Sequence, residues 1–165
     1  MKVILVRPPA DVKAIYGSLA GAAGNTLPYG LASIAAYLEQ DGHRVEVLDA
    51  YAEGVDADAA CERILAEQPD VVGISLLSTD VEVFNLLVRC LSAARPDLVL
   101  IAGGPHLSDF PGAAFADCPE LRYAVSGEGE DTVGEFCRAV ELGAGIEELS
   151  RIQGMIVRQA DGTLD

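Results

Sequence analysis

Few side chains in this sequence could do covalent chemistry, and their spacing argues against most of it. The only histidines are His43 and His106. The cysteines are Cys61, Cys90, Cys118 and Cys137, no two near enough in sequence to chelate one ion together. No P-loop, G-x-S-x-G elbow or metal-ligand spacing occurs. The stretch GEGEDT (127–132) offers Gly127 and Gly129 to a dinucleotide but lacks the third glycine. It also puts Glu128, Glu130 and Asp131 where a pyrophosphate would dock, and carboxylates there repel it. Those acids suit a helix N-terminus instead, with Thr132 and Glu135 in capping-box spacing. A phosphate-accepting receiver site needs acids after strand one, an aspartate ending strand three and a lysine after strand five. Those places hold Arg7-Pro8-Pro9, Ser75 to Ser78, and Ser126. The remaining chemistry is binding, and it concentrates in SLLSTD (75–80) and IAGGPH (101–106).

The elements that carry these stretches alternate. KVILV (2–6) reads as a buried strand, and a Gly/Ala/Pro loop follows over 7–26. In the helix LPYGLASIAAYLEQDG, Leu31, Ile34, Ala35 and Leu38 recur at i, i+3, i+4, i+7; Pro28 suits its first turn and Gly42 its stop. RVEVLDA (44–50) is strand two, with Val45 and Val47 inward and Leu48 a further inward candidate, and a helix runs from Asp58 to Gln68. DVVGISLL (70–77) is strand three. Phe84, Leu87, Val88 and Leu91 mark the next helical face, and LVLIAGG (98–104) is strand four. A short helix is expected near Gly112–Asp117, then strand five at LRYAVSG (121–127). Val133, Phe136, Cys137 and Val140 mark the last long helix, and GMIVR with Asp161-Gly162 begins an antiparallel hairpin. Continuously apolar strands separated by single helices imply a parallel sheet covered on both faces. The expected class is α/β, a flavodoxin-like, Rossmann-like doubly wound sheet of five parallel strands in order 2-1-3-4-5, with a short C-terminal β-hairpin.

Such sheets bind ligands beyond the carboxyl ends of the strands, at the switch between strands one and three. There RPPAD, SLLSTD, GGPH and SGEGE converge. Gly103 and Gly104 have no Cβ and admit something bulky to the backbone. Ser75 and Leu77 lie two apart, so they face one side with a hydroxyl and an apolar wall. Together they predict a large, mostly apolar ligand with a few polar groups. His106 could approach a metal there, although a loop hydrogen bond accounts for it better; His43, at the far end of the sheet, is expected on the surface. The chain of 165 residues suggests one domain, half hydrophobic, with 26 acidic against 11 basic residues and a net charge of −15. That balance disfavours nucleic acid and anionic membranes. The N-terminus has no secretory core, no run approaches a membrane span, and the cysteines read as reduced apolar fillers, which together give a cytoplasmic setting.

The motifs resemble the B12-binding fold, which carries Asp-x-His-x-x-Gly, then Ser-x-Leu, then Gly-Gly. Here NTLPYG ends in Gly30, 44 residues (31–74) precede Ser75-Leu76-Leu77, and 25 residues (78–102) precede Gly103-Gly104, which is the family's spacing. Asn25 stands in place of the aspartate and Leu27 in place of the cobalt-binding histidine. With Arg7-Pro8-Pro9, Pro28-Tyr29-Gly30-Leu31, GGPH and GEGE in order, the chain looks like the N-terminal cobalamin (vitamin B12)-binding domain of B12-dependent radical SAM enzymes. The resemblance implies a cobalamin held base-off without a histidine lower ligand, its tail against Ser75, Leu77, Gly103 and Gly104. It implies a rim of Pro8, Leu27, Gly30, Ser78, Thr79, Pro105, His106, Gly127, Glu128 and Gly129 under the corrin. His106 is kept there as an outside candidate for a cobalt ligand; no metal ligand is otherwise expected. No Cys-x-x-x-Cys-x-x-Cys occurs, so S-adenosylmethionine and a [4Fe-4S] cluster are expected in a radical SAM domain beyond this chain, the partner that makes the whole a methyltransferase or cyclase. On that reading residues 1–145 are the cobalamin-binding domain, 146–165 a linker and the start of a hairpin, and the chain alone catalyses nothing. The competing readings are a cofactor-free interaction module and a flavin- or nucleotide-binding flavodoxin-like domain.

Overall fold

β-branched and leucine residues run without polar interruption through KVILVR, VVGIS and VLIAG, and these segments pair into the centre of one sheet. The computed structural model describes residues 1–10, 12, 17–22, 24 and 26–165. In it β1 (Lys2–Arg7), β2 (Arg44–Asp49), β3 (Val71–Ser75), β4 (Val99–Gly103) and β5 (Tyr123–Val125) are parallel, in the order β2-β1-β3-β4-β5. This is the expected class and order. The sheet nevertheless has six strands, not five: β6 (Met155–Val157) pairs antiparallel with β5, Tyr123 opposite Val157. GMIVR joins the main sheet because Met155 and Val157 are buried on it, with Leu149 and Ile152 leading in. The expected hairpin then turns at Asp161-Gly162, and Arg158 bridges to Leu164.

Alternation along each strand sends side chains to two cores. On one face, Ile4, Val6, Val72, Ile74 and Leu100 meet α3 (Ala57–Ala66) and α4 (Val81–Ala94). Phe84, Leu87, Val88 and Leu91 of α4 are wholly buried there, each worth about 1.5–3 kcal/mol of apolar transfer. On the other face, Val3, Leu5, Val71, Ile101 and Val125 meet α1 (Tyr29–Gln40) and α7 (Glu130–Glu141). The short helices are α2 (Ala50–Glu53), α5 (Pro105–Asp109), α6 (Pro111–Asp117) and α8 (Ile146–Leu149).

Four local expectations fail. Val47, expected inward, is 43% exposed on the edge strand β2, whereas Leu48, the further inward candidate, is buried. His43 is buried, 6% exposed, with Nδ1 3.5 Å from the Met1 amine and Nε2 enclosed without a partner among the described residues. Thr132 does not cap α7, which begins at Glu130; its hydroxyl donates to the Gln153 carbonyl (2.8 Å) and fastens α7 to the segment before β6. Cys61 and Cys90 are not separate thiols: α3 and α4 lie side by side and the two are paired as a disulfide, Cα atoms 6.3 Å apart.

Burial pushes the Cys118 thiol up to about 11 and that of Cys137 up to about 12, and both are buried. Both therefore stay protonated at neutral pH. The native oxidised chain is expected to resist alkylation at pH 8 and, once denatured without reductant, to take up label on two cysteines. Mass spectrometry reads the number; four labels would show that Cys61 and Cys90 are not bonded.

Candidate binding site

A cavity of about 570 Å³ opens at the carboxyl ends of β1, β3 and β4, between the sheet and helices α1 and α7. Its floor is a row in register across three strands, Leu5, Gly73 and Ile101. The next row up is the pair Ser75 and Gly103. Gly73 sets the depth: a Cβ there would sit 2.8 Å from Leu5 Cδ2. Leu31 and Ile34 of α1 and Val133 of α7 form the wall.

The helices that make this wall are fastened to each other. Gly129 and Gly134 let α7 approach α1, since a Cβ at Gly129 would meet Ile34 at 2.9 Å and one at Gly134 would meet Tyr37 at 2.8 Å. Ser33 Oγ donates to Glu130 (2.6 Å), Tyr37 Oη donates to Asp131 (2.8 Å), and Arg138 pairs with Asp41. The hydrogen bond to Asp131 raises the Tyr37 phenol above its ordinary pKa. The acids of GEGED therefore work as a clasp on the roof, and Glu128 and Glu130 also reach the cavity rim.

Ten of the fourteen residues named from sequence line the cavity: Leu27, Gly30, Ser75, Leu77, Gly103, Gly104, Pro105, Gly127, Glu128 and Gly129. Four do not. Pro8 is buried behind Arg7 in sequence. Ser78 Oγ lies 2.9 Å from His106 Nδ1, a contact that ties the β3–α4 loop to the first turn of α5. Thr79 donates to Asp80 (2.8 Å), whose carboxyl burial pushes up. The His106 ring tilts against Phe110, 5.7 Å between centroids, with Nε2 enclosed and without a partner among the described residues. Asn25 lies outside the described residues.

Gly103 and Gly104 prove to have different duties. A Cβ on Gly103 would meet only Val125, at 3.9 Å. Gly104 has φ +112° and ψ 174°, and a Cβ there would lie 2.8 Å from the Leu76 carbonyl oxygen. Gly104 thus allows two loops to touch, while Gly103 leaves room in the cavity. Sequence reading missed Gly73 and brought Arg7 to the rim only as part of RPPAD, without a role of its own. Gly73 carried a signal, a lone glycine inside a buried strand, which marks close approach. Arg7 carried one too, a charge at the tip of β1, beside the switch point.

A doubly wound sheet with an apolar slot at its switch point defines a cofactor-binding α/β domain. The sequence model described as "B12 binding domain" matches residues 17–136, and the chain belongs to that family. It is 34% identical over 155 residues to cytidylyl-2-hydroxyethylphosphonate methyltransferase of Streptomyces wedmorensis, covering 83% of this chain and 28% of that protein. It is 25% identical over 163 residues to anaerobic magnesium-protoporphyrin IX monomethyl ester cyclase of Rubrivivax gelatinosus, covering 98% and 28%. The cobalamin-dependent S-adenosylmethionine radical enzyme OxsB, in a structure with aqua-cobalamin and S-adenosylmethionine bound, superimposes with a TM-score of 0.78 at 21% identity, over 99% of this chain and 21% of that one. The chain spans less than a third of the length of each. The resemblance drawn from motif spacing is thereby borne out. Among the described residues no helix is long and apolar enough to cross a membrane.

Proposed function

We propose that this chain binds cobalamin base-off, with no histidine below the cobalt, as the B12 module of a radical SAM methyltransferase or cyclase. The cavity is the observation that carries this reading. Its 570 Å³ falls within the ~300–1,000 Å³ of small-molecule pockets, and its apolar floor suits the aromatic base of the nucleotide tail. Leu5, Gly73 and Ile101 would hold the tail base and Ser75 would offer it a hydroxyl, with the rim residues left to face the corrin. Bound there, cobalamin would supply a cobalt centre for methyl or electron transfer.

Leu27 stands at the mouth, 70% exposed, and has no atom that can ligate. His106 is turned to Ser78 and Phe110 and does not line the cavity. Both facts support a lower face without imidazole. S-adenosylmethionine and a [4Fe-4S] cluster belong in this reading to a radical SAM domain that acts as partner. The net charge of −15 supports neither nucleic acid nor an anionic membrane as partner.

The test is incubation with hydroxocobalamin, then gel filtration. Near-stoichiometric cobalt absorption in the protein peak is expected, with a spectrum lacking a nitrogen ligand below cobalt. No absorption would leave a cofactor-free interaction module; a yellow protein as isolated would favour a flavin. A nitrogen-ligated spectrum would overturn the histidine-free geometry and promote His106.

A further inference from the structure

Among the described residues that line the cavity, the charged ones are Glu128, Glu130 and Arg7. Arg7 is the sole cation, in a chain with 26 acidic and 11 basic residues. It ends β1 two positions after Leu5, so its side chain leaves on the cavity face. It is held before any ligand arrives: Nη1 donates to the Thr26 carbonyl at 2.8 Å and approaches Asp49 Oδ2 at 3.5 Å. The guanidinium carbon lies 4.1 Å from the Tyr51 ring centroid, a cation–π contact that fixes the plane of the fork.

Asp49 engages the Arg7 fork through one nitrogen only. Its contact is at the outer limit of a hydrogen bond, and its other oxygen accepts from the Ala52 amide at 3.0 Å. Among the described residues, every hydrogen bond that Arg7 makes leaves from Nη1. Nε and Nη2 are the donors of the fork not used in these bonds. The side chain is 18% exposed, so the fork is part-buried and still open to the cavity mouth. A rigid, part-buried guanidinium whose Nε and Nη2 are not engaged among the described residues suits an anion with two oxygens.

We infer that Arg7 anchors a phosphate ester of the ligand, and so fixes how deep the tail sits above the Leu5–Gly73–Ile101 floor. The inference rests on the reading of this cavity as the cobalamin-tail site. The tail joins an aromatic base and ribose to the corrin through a phosphodiester, so an apolar floor and one cation near the mouth match its two ends. A flavin mononucleotide also pairs a flat apolar ring with a phosphate ester, and the experiment separates the two sources.

The full chain, as wild type, Arg7→Met and Arg7→Lys, is titrated with hydroxocobalamin, with cobinamide (a corrinoid without the nucleotide tail) and with flavin mononucleotide. Arg7→Met is expected to weaken hydroxocobalamin roughly 10- to 100-fold, the scale of a charge-assisted hydrogen bond, and to leave cobinamide unchanged. Arg7→Lys recovers most of the loss. Wild-type affinity for hydroxocobalamin falls as ionic strength rises, and that of Arg7→Met falls less. Equal losses on both corrinoids would overturn the anchor and leave Arg7 as a tether for the Thr26 loop, with the cobalamin reading intact; so would a salt response that Arg7→Met shares. Arg7-dependent binding of flavin mononucleotide alone would keep the anchor and overturn the cobalamin source. Wild type that takes up none of the three overturns both.

Discussion

Gly103→Leu is expected to abolish cobalamin uptake by a chain that stays folded. Gly103 sits beside Ser75 in register, and a Cβ there meets nothing closer than Val125 at 3.9 Å. The strand therefore accepts a side chain, and a leucine at that position projects into the space over the floor. The ligand tail and the leucine cannot share it. We expect affinity to fall by about 100-fold or more, equivalent to about 3 kcal/mol. The ligand-free melting temperature should hold or rise, because filling an apolar cavity stabilises by roughly 0.5–2 kcal/mol. Titration with hydroxocobalamin beside a thermal melt reads both. A folded Gly103→Leu chain that takes up cobalamin at wild-type affinity would move the tail to another place.

Gly104→Ala, one residue on, is expected to damage the fold itself. At φ +112° and ψ 174° the backbone lies in a region populated essentially by glycine alone. The added methyl would also press on the Leu76 backbone, 2.8 Å from its oxygen and 3.1 Å from its nitrogen. Those atoms join the two strand tips: Leu76 N donates to the Gly103 carbonyl (2.7 Å) and His106 N donates to the Leu76 carbonyl (3.3 Å). Strain and lost hydrogen bonds together should cost about 3 kcal/mol, or roughly 6–12 °C in a chain of this size. A ligand-free melt settles it; an unchanged midpoint would refute the account of Gly104. Gly103 and Gly104, read from sequence as a pair that admits a bulky ligand, thus part company: bulk at Gly104 strains the fold, and the clean block belongs at Gly103.

The βα alternation was legible because parallel strands buried on both faces must be apolar throughout, as Val71–Ser75 and Val99–Gly103 are. The wholly buried face of α4 was legible from its spacing alone. The location of the cavity followed from the switch-point rule once the strand order was set. Pairings decided by tertiary packing were not legible. Cys61 and Cys90 are 29 residues apart, and only the contact of α3 with α4 brings them together. His43 looked superficial as the residue after a helix-stopping glycine, yet it sits beneath the chain's own amino terminus. β6 read as the first half of a detached hairpin because pairing with β5 leaves no periodic mark in three residues. Within the site, the glycines were visible as a pair, but their separate tasks depend on backbone angles that sequence does not carry.

The cavity has a consequence for how the protein survives. Its floor and wall, Leu5, Leu31, Ile101 and Val133, are members of one of the two cores, so the chain folds around a gap in its own interior. A ligand that fills the gap only in the folded state adds about 4 kcal/mol at a thousandfold excess over Kd, a large fraction of the ~5–15 kcal/mol that holds a domain together. On the proposed reading, supply of the vitamin would then govern turnover of the polypeptide: starved cells would degrade the empty chain faster than replete cells degrade the filled one.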